Sequence, residues 1–110
     1  MDISVEPTAG AQIVAINGSL DTNTSPEAQE TLTDLISDGA ETIVADFENV
    51  EYISSAGLRV LLVAAKKLKA IGGEMRLCNL NPLVQEVFDI SGFGVMFQVY
   101  GSRDAALAGS

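Results

Sequence analysis

The strongest constraint in this sequence is an alternation. After an opening pair of strand-like runs, short apolar segments exchange places with segments of helical period, and the helical ones run out at glycine. Ile3 and Val5 alternate with polar neighbours, as in a half-buried edge strand. A turn at Pro7-Thr8-Ala9-Gly10 leads to Gln12-Ile13-Val14-Ala15-Ile16, a second strand, and Asn17-Gly18 is a turn signal. Leu20 continues the sheet before the polar loop Asp21-Thr22-Asn23-Thr24. Ser25-Pro26-Glu27 then reads as a helix start, with a capping serine, a proline in the first turn and an acid at the positive end of the dipole. Ala28, Leu32, Leu35 and Ile36 give that helix one apolar face, and Asp38-Gly39 ends it.

The rest of the chain repeats the pattern. Thr42-Ile43-Val44-Ala45 is a nearly continuous apolar strand, the kind covered on both faces. A long helix follows from about Ser55 to Ile71 and stops at Gly72-Gly73. Met75-Arg76-Leu77-Cys78 is a short strand, and Asn81-Pro82 opens a helix carrying Val84, Val87, Phe88 and Ile90 that closes at Gly92. Val95 to Tyr100 reads as a last strand, and Ser102-Arg103-Asp104 caps a terminal helix through Leu107. The order β-β-α-β-α-β-α-β-α predicts one α/β domain over residues 1–110. Its mixed sheet has about five strands, with helices packed against it.

Composition narrows the function. With 47% hydrophobic but only 5% aromatic residues and no Trp, the core must be built from Val, Ile, Leu and Ala. Six basic against fifteen acidic residues leave a charge of −9, which repels a phosphate backbone and argues against direct nucleic-acid binding. The chain has no His, so a Ser-His-Asp triad, a His metal ligand and a phosphohistidine are all excluded. The single cysteine, Cys78, lies in an apolar run and reads as a buried thiol. The start Met1-Asp2-Ile3-Ser4-Val5 lacks a basic n-region, and Val60 to Ala65 is too short to span a bilayer, so the expected location is the cytoplasm, away from membranes.

The informative stretch is Phe47 to Lys69. At about 100° per residue from Ser55, the residues Leu58, Leu61, Ala65 and Leu68 fall on one side of the long helix, the core face. Ser55, Arg59, Leu62, Lys66 and Lys69 fall on the other, with Val63 beside them. With Lys67, that outer face gathers four of the six basic residues of an acidic protein. Apolar Leu62 and Val63 ringed by charge suggest a partner surface, unless another element covers them. Ser54 and Ser55 stand where a helix N-cap is expected, which is a sufficient role by itself. A phosphate is also tolerated there by the helix dipole. Gly57 allows a close approach of backbone or partner.

Phe47 through Leu58, with its Ser54-Ser55-Ala56-Gly57-Leu58 core, resembles the signature of the STAS-domain anti-sigma factor antagonists. The likeness extends to Gly18-Ser19-Leu20-Asp21, Ile71-Gly72-Gly73-Glu74-Met75, Asn81-Pro82 and Val87 to Gly92, almost the whole chain. The resemblance implies a partner switch. The unphosphorylated antagonist binds an anti-sigma factor that is also a serine kinase and so frees a sigma factor. The kinase then phosphorylates the antagonist, and a serine phosphatase restores it. By position Ser55 matches the phosphoacceptor, and Asp21 matches an acidic loop residue of the kinase contact. Many members carry Asp immediately before the acceptor; here Ser54, itself phosphorylatable, occupies that place.

The resemblance and the helical spacing together give a partner surface of Asp21, Ser54, Ser55, Ala56, Gly57, Arg59, Leu62, Val63 and Lys66. The resemblance implies no catalytic residue, metal or cofactor in this chain, with ATP and magnesium belonging to the partner. It also implies a tendency to a monomer in solution, with self-association through Leu62 and Val63 as the alternative. Two other readings remain at this level. One is a STAS scaffold or sensory module working with a different kinase or phosphatase. The other is a small-ligand or enzyme site built on Asp21, Asp46 and Glu48.

Overall fold

The computed structural model describes residues 2–8, 10–92 and 97–109. They form strands β1 (Asp2–Pro7), β2 (Gln12–Leu20), β3 (Thr42–Ile53), β4 (Glu74–Cys78) and β5 (Gln98–Tyr100). The helices are α1 (Ser25–Ser37), α2 (Ser55–Ala70), α3 (Pro82–Ser91) and α4 (Arg103–Ala108). The element order is the expected one. Of the predicted last strand, Val95 and Met96 lie outside the described residues, as does Ala9 of the first turn.

Spatial order in the sheet follows chain order, β1-β2-β3-β4-β5, with β1 antiparallel to β2 and every later pair parallel. A chain that steps across a parallel sheet in one direction, with right-handed crossovers, must lay all its crossover helices on the same face. The packing follows from this. Leu32 of α1, Leu58, Leu61 and Leu68 of α2, and Val84 and Phe88 of α3 share one core with Val14, Ile43, Phe47 and Leu77 of the sheet. Phe88 sits at its centre, edge-on to Phe47 at 6.3 Å and to Phe97 at 5.7 Å.

The far face of the sheet is covered by α4, which packs Ala106 and Leu107 over Ala11, Ile13, Val44 and Cys78. Six residues cannot hold a helix by propensity, so α4 depends on this packing and on polar contacts beside it. Asp46, on the far face of β3 and only 4% exposed, receives the Arg103 Nε and Nη2 donors on one carboxylate oxygen at 3.0 and 2.8 Å. Its other oxygen accepts from the Asn79 side chain and the Glu48 N–H, both at 3.0 Å. Arg103 also reaches Glu6 of β1 at 3.2 Å, and Arg76 donates to the Ala106 carbonyl at 2.9 Å. Burial works against the charged form of Asp46, but the Asn79, Glu48 and Arg103 donors outweigh it and hold the carboxyl below its ordinary value.

Two sequence expectations change. Asn17-Gly18 is not a turn: β2 runs through it to Leu20, and Gly18 takes φ 102° inside the strand. The third strand does not stop near Ala45 and give way to a loop but continues to Ile53. Both differences have one cause. Ala15 pairs with Asp46 and Asn17 with Asn49, then Gly18 with Val50 and Ser19 with Tyr52, so β3 carries an extra residue at each of two bulges. Alternation fails there, and burial falls on Phe47, Val50 and Ile53 at every third position.

The long β2–β3 pair ends at Leu20 opposite Ile53, and this splice sets the position of α2. The Ser54 N–H donates to the Leu20 carbonyl at 2.9 Å. One turn later Gly57 is pressed against the same residue: a Cβ there would stand 2.7 Å from the Leu20 oxygen and 2.8 Å from its Cγ.

Two outcomes are expected. Gly57→Ala forces the start of α2 off Leu20 and lowers unfolding free energy by about 1–3 kcal/mol, read by chemical denaturation. Asp46→Asn removes the charged hydrogen bonds that hold α4 and lowers stability at neutral pH by about 1.5–3 kcal/mol. Because folding lowers this carboxyl's pKa, its contribution is complete above the ordinary value of 3.8 and disappears as pH falls through the lower folded value. Thermal melts taken from neutral to acidic pH will therefore fall more steeply for the wild type than for Asp46→Asn; parallel curves would contradict the assignment.

Candidate functional site

Parallel strands deliver their following loops to one edge of the sheet, so the loop after β2 and the start of α2 after β3 meet at the carboxyl ends of neighbouring strands. The first is a rigid turn. Asp21 Oδ1 accepts the N–H groups of Asn23 at 2.9 Å and Thr24 at 3.2 Å, and the Asp21 N–H donates back to Thr24 Oγ1 at 2.9 Å. The Thr24 hydroxyl donates to the Ser19 carbonyl at 2.8 Å. This reciprocal arrangement does the work of a capping box at the entry to α1. The expected cap, Ser25, is instead the first residue of the helix; it is buried and its hydroxyl donates to the Asp21 carbonyl. The extended backbone that a cap requires is absent at Thr24, already near helical φ/ψ, so the capping role moves back to Asp21.

At the start of α2 the two adjacent serines have different fates. Ser54 is the N-cap, with extended backbone, and its Oγ accepts the Gly57 N–H at 3.3 Å. Its carbonyl accepts from Leu58 and its own N–H donates to Leu20, so the N–H, the carbonyl and Oγ of Ser54 each have a partner. Ser55 is the first helical residue and is exposed; its hydroxyl has no hydrogen-bond partner among the described residues. The chain has no histidine that could activate it as a nucleophile.

Down the helix, Arg59, Lys66, Lys67 and Lys69 are exposed, Ala56 and Leu62 are half-buried, and Gly57 is buried. Val63 is 36% exposed on the wall of an open groove of about 260 Å³ between α1 and α2. Thr22, Pro26 and Gln29 form one wall, and Ala56, Arg59 and Val63 the other. Leu62 and Val63 therefore differ: the first is half covered and the second faces the groove. Ala65, assigned by spacing to the core face, is only partly buried, while Val60 and Ala64 are buried in its place. The stripe is rotated toward α1, which packs beside α2.

The charge of the helix is distinctive. From Ser55 to Ala70 there is no acidic residue, and none of its four cations makes an ion pair among the described residues. The pairs found use Arg76 and Arg103. Asp21 and Asp46, two of the three carboxylates considered for a ligand site, are occupied by the α1 turn and by the α4 anchor. Cys78 is buried, and burial, followed by the nearby Asp46 charge, pushes its thiol up to about 12, so it is not a nucleophile at neutral pH. No helix among the described residues is long and apolar enough to cross a membrane.

The groove wall supplied by Thr22, Pro26 and Gln29 was not singled out from the sequence. It follows from the parallel pairing of β2 and β3, which sets the starts of α1 and α2 side by side and has no local sequence signal. Pro26 has a sufficient sequence role as a helix starter.

The sequence and the fold both have known counterparts. The profile of the STAS domain matches residues 2–106. BtrV of Bordetella bronchiseptica, a candidate anti-sigma factor antagonist, is 39% identical over 98% of this chain and 93% of its own. The anti-sigma F factor antagonist of Paenibacillus polymyxa is 32% identical, covering 97% of this chain and 92% of that protein. Among solved structures, the Bacillus cell fate determinant SpoIIAA in its phosphorylated form superimposes with a TM-score of 0.76 at 25% identity, over 97% of both chains. The chain belongs to the STAS domain family.

Proposed function

We propose that this protein, a single STAS domain over residues 1–110, is an anti-sigma factor antagonist that works by binding, not by turnover. In its unphosphorylated form it captures an anti-sigma factor with serine kinase activity and releases a sigma factor. The kinase transfers the γ-phosphoryl of ATP to Ser55 Oγ, the hydroxyl proton departs and ADP is left; a serine phosphatase hydrolyses the ester. The protein acts as a cytoplasmic monomer, without contact to nucleic acid or membrane and without a cofactor of its own.

The observation that carries this reading is the division of labour between the two serines. Ser54 Oγ is tied into the helix cap, whereas the Ser55 hydroxyl is exposed at the helix start. The next residue, Ala56, and Arg59 one turn on line the α1–α2 groove. The partner surface consists of Asp21, Ser54, Ser55, Ala56, Arg59, Leu62, Val63 and Lys66. Gly57, buried against Leu20, contributes by holding the two loops together. The names of the relatives and the phosphorylated state of SpoIIAA support the same reading.

Phosphorylation adds a charge of roughly −1.5 to −2 and three acceptor oxygens to a surface that must be desolvated when the partner binds. A coupling penalty of about 1–3 kcal/mol weakens capture about 5- to 150-fold. The helix dipole accommodates the new charge, so the fold is retained.

Incubation with the cognate anti-sigma kinase, ATP and magnesium is expected to add one phosphate, located on Ser55 by peptide mass spectrometry. Ser55→Ala blocks it. Ser54→Ala remains a substrate and loses about 1 kcal/mol of stability with its cap. Ser55→Asp and Ser55→Glu keep the wild-type circular dichroism spectrum and lose kinase capture in a titration where the wild type binds. Phosphate on Ser54 alone, or undiminished binding by both acidic variants, would sink the reading.

A further inference from the structure

We infer that Arg59 is the internal counter-ion of a phosphate on Ser55, so that phosphorylation both adds negative charge to the partner surface and withdraws a positive one. The inference rests on the Ser55 reading above and concerns what the modified side chain does next.

Ser55 and Arg59 are both exposed and stand four residues apart on α2. Residues at this spacing project from the same helix face, with Cβ atoms about 5–6 Å apart. The acidic member would lie N-terminal to the basic one, the orientation that also suits the helix dipole. A guanidinium can meet a phosphate with two parallel donors, where a lysine offers a point charge.

Arg59 has no competing claim. It makes no ion pair among the described residues, and α2 holds no acid that could take it. Across the groove, α1 and its entry loop present Thr22, Ser25, Pro26 and Gln29, all uncharged. In the entry loop of α1, Asp21 has one carboxylate oxygen committed to the Asn23 and Thr24 N–H groups and makes no ion pair among the described residues. An unpaired arginine four residues after the acceptor serine, in a protein of net charge −9, is thus free to close on the phosphate.

The consequence is regulatory. Before modification Arg59 is an open cation on the partner surface, suited to an acidic side chain of the kinase. After modification it is folded back onto its own helix. Lys66 lies some 16 Å further along the axis from Ser55 and is outside the pair.

The test needs no kinase. Phosphoserine is installed at position 55 during translation, and its second ionisation, near pH ~6, is followed by phosphorus NMR at low salt. The expected result is an ionisation about half a unit lower in the wild type than in Arg59→Gln, with Arg59→Lys in between and Lys66→Gln like the wild type. Circular dichroism of each variant verifies the fold, and Arg59→Lys, which keeps the charge, guards against loss of structure in Arg59→Gln. Equal ionisation in wild type and Arg59→Gln overturns the inference. So does an equal shift from Lys66→Gln, which would signal a general field in place of a pair. Failure of every kinase to modify Ser55 would remove the proposed function and leave this measurement standing.

Discussion

The end of the β2–β3 pair is the point on which the functional architecture depends. Leu20 closes β2 opposite Ile53, accepts the Ser54 N–H, and leaves room for no side chain at position 57. Three demands meet at one residue: sheet pairing, the entry of α2, and the location of the turn that begins at Asp21. A hydrogen bond of this kind is worth only about 0.5–1.5 kcal/mol in net stability. Its importance is geometric, because a shift of the helix start moves Ser55 and the groove wall together. The core beneath, with Leu58 and Leu61 almost fully buried, prevents the helix from sliding along its axis to relieve such a shift.

Charge is distributed against the average of the molecule. Most small acidic domains disperse their cations among acids, where pairs at i and i+4 contribute a few tenths of a kcal/mol each. Here α2 forgoes that stabilisation entirely and carries four cations without a partner among the described residues, while the two arginines elsewhere are tied into the structure. The helix is maintained by its buried stripe, Leu58, Val60, Leu61, Ala64 and Leu68, so its outer face is available for recognition. The last-turn lysines also sit where the helix dipole is negative, which offsets part of their mutual repulsion.

Much of this was legible in the residues. Glycine stops, proline starts and the change from strand to helical period located every helix to within a residue or so, because those signals act locally. Asn81 and Ser102 cap as expected, each accepting an N–H three residues on. What escaped was non-local. The extra residues in β3 broke the alternation from which a strand is recognised, and Gly18, a turn residue by type, serves its positive φ inside a strand. Ser25 had the right identity for a cap, but Asp21 and Thr24 had already closed the turn around it. Asp46 read as a candidate site acid because its partner, Arg103, is 57 residues away in sequence. For the site, the serines and the basic face could be read from spacing. The groove between α1 and α2 could not, since it depends on how two crossovers settle side by side.

The far layer of the molecule has a property of its own. Cys78 lies beneath α4, with no exposure, and its thiol is pushed up to about 12. A thiol in that state reacts with an alkylating reagent only during excursions in which the terminal helix lifts and water reaches the sulfur. The only cysteine of the chain is therefore a built-in clock for local opening, placed on the face opposite the serines. Its rate of alkylation reads the opening of the α4 layer alone, because the sulfur has no exposure on either side of the sheet while that helix is seated.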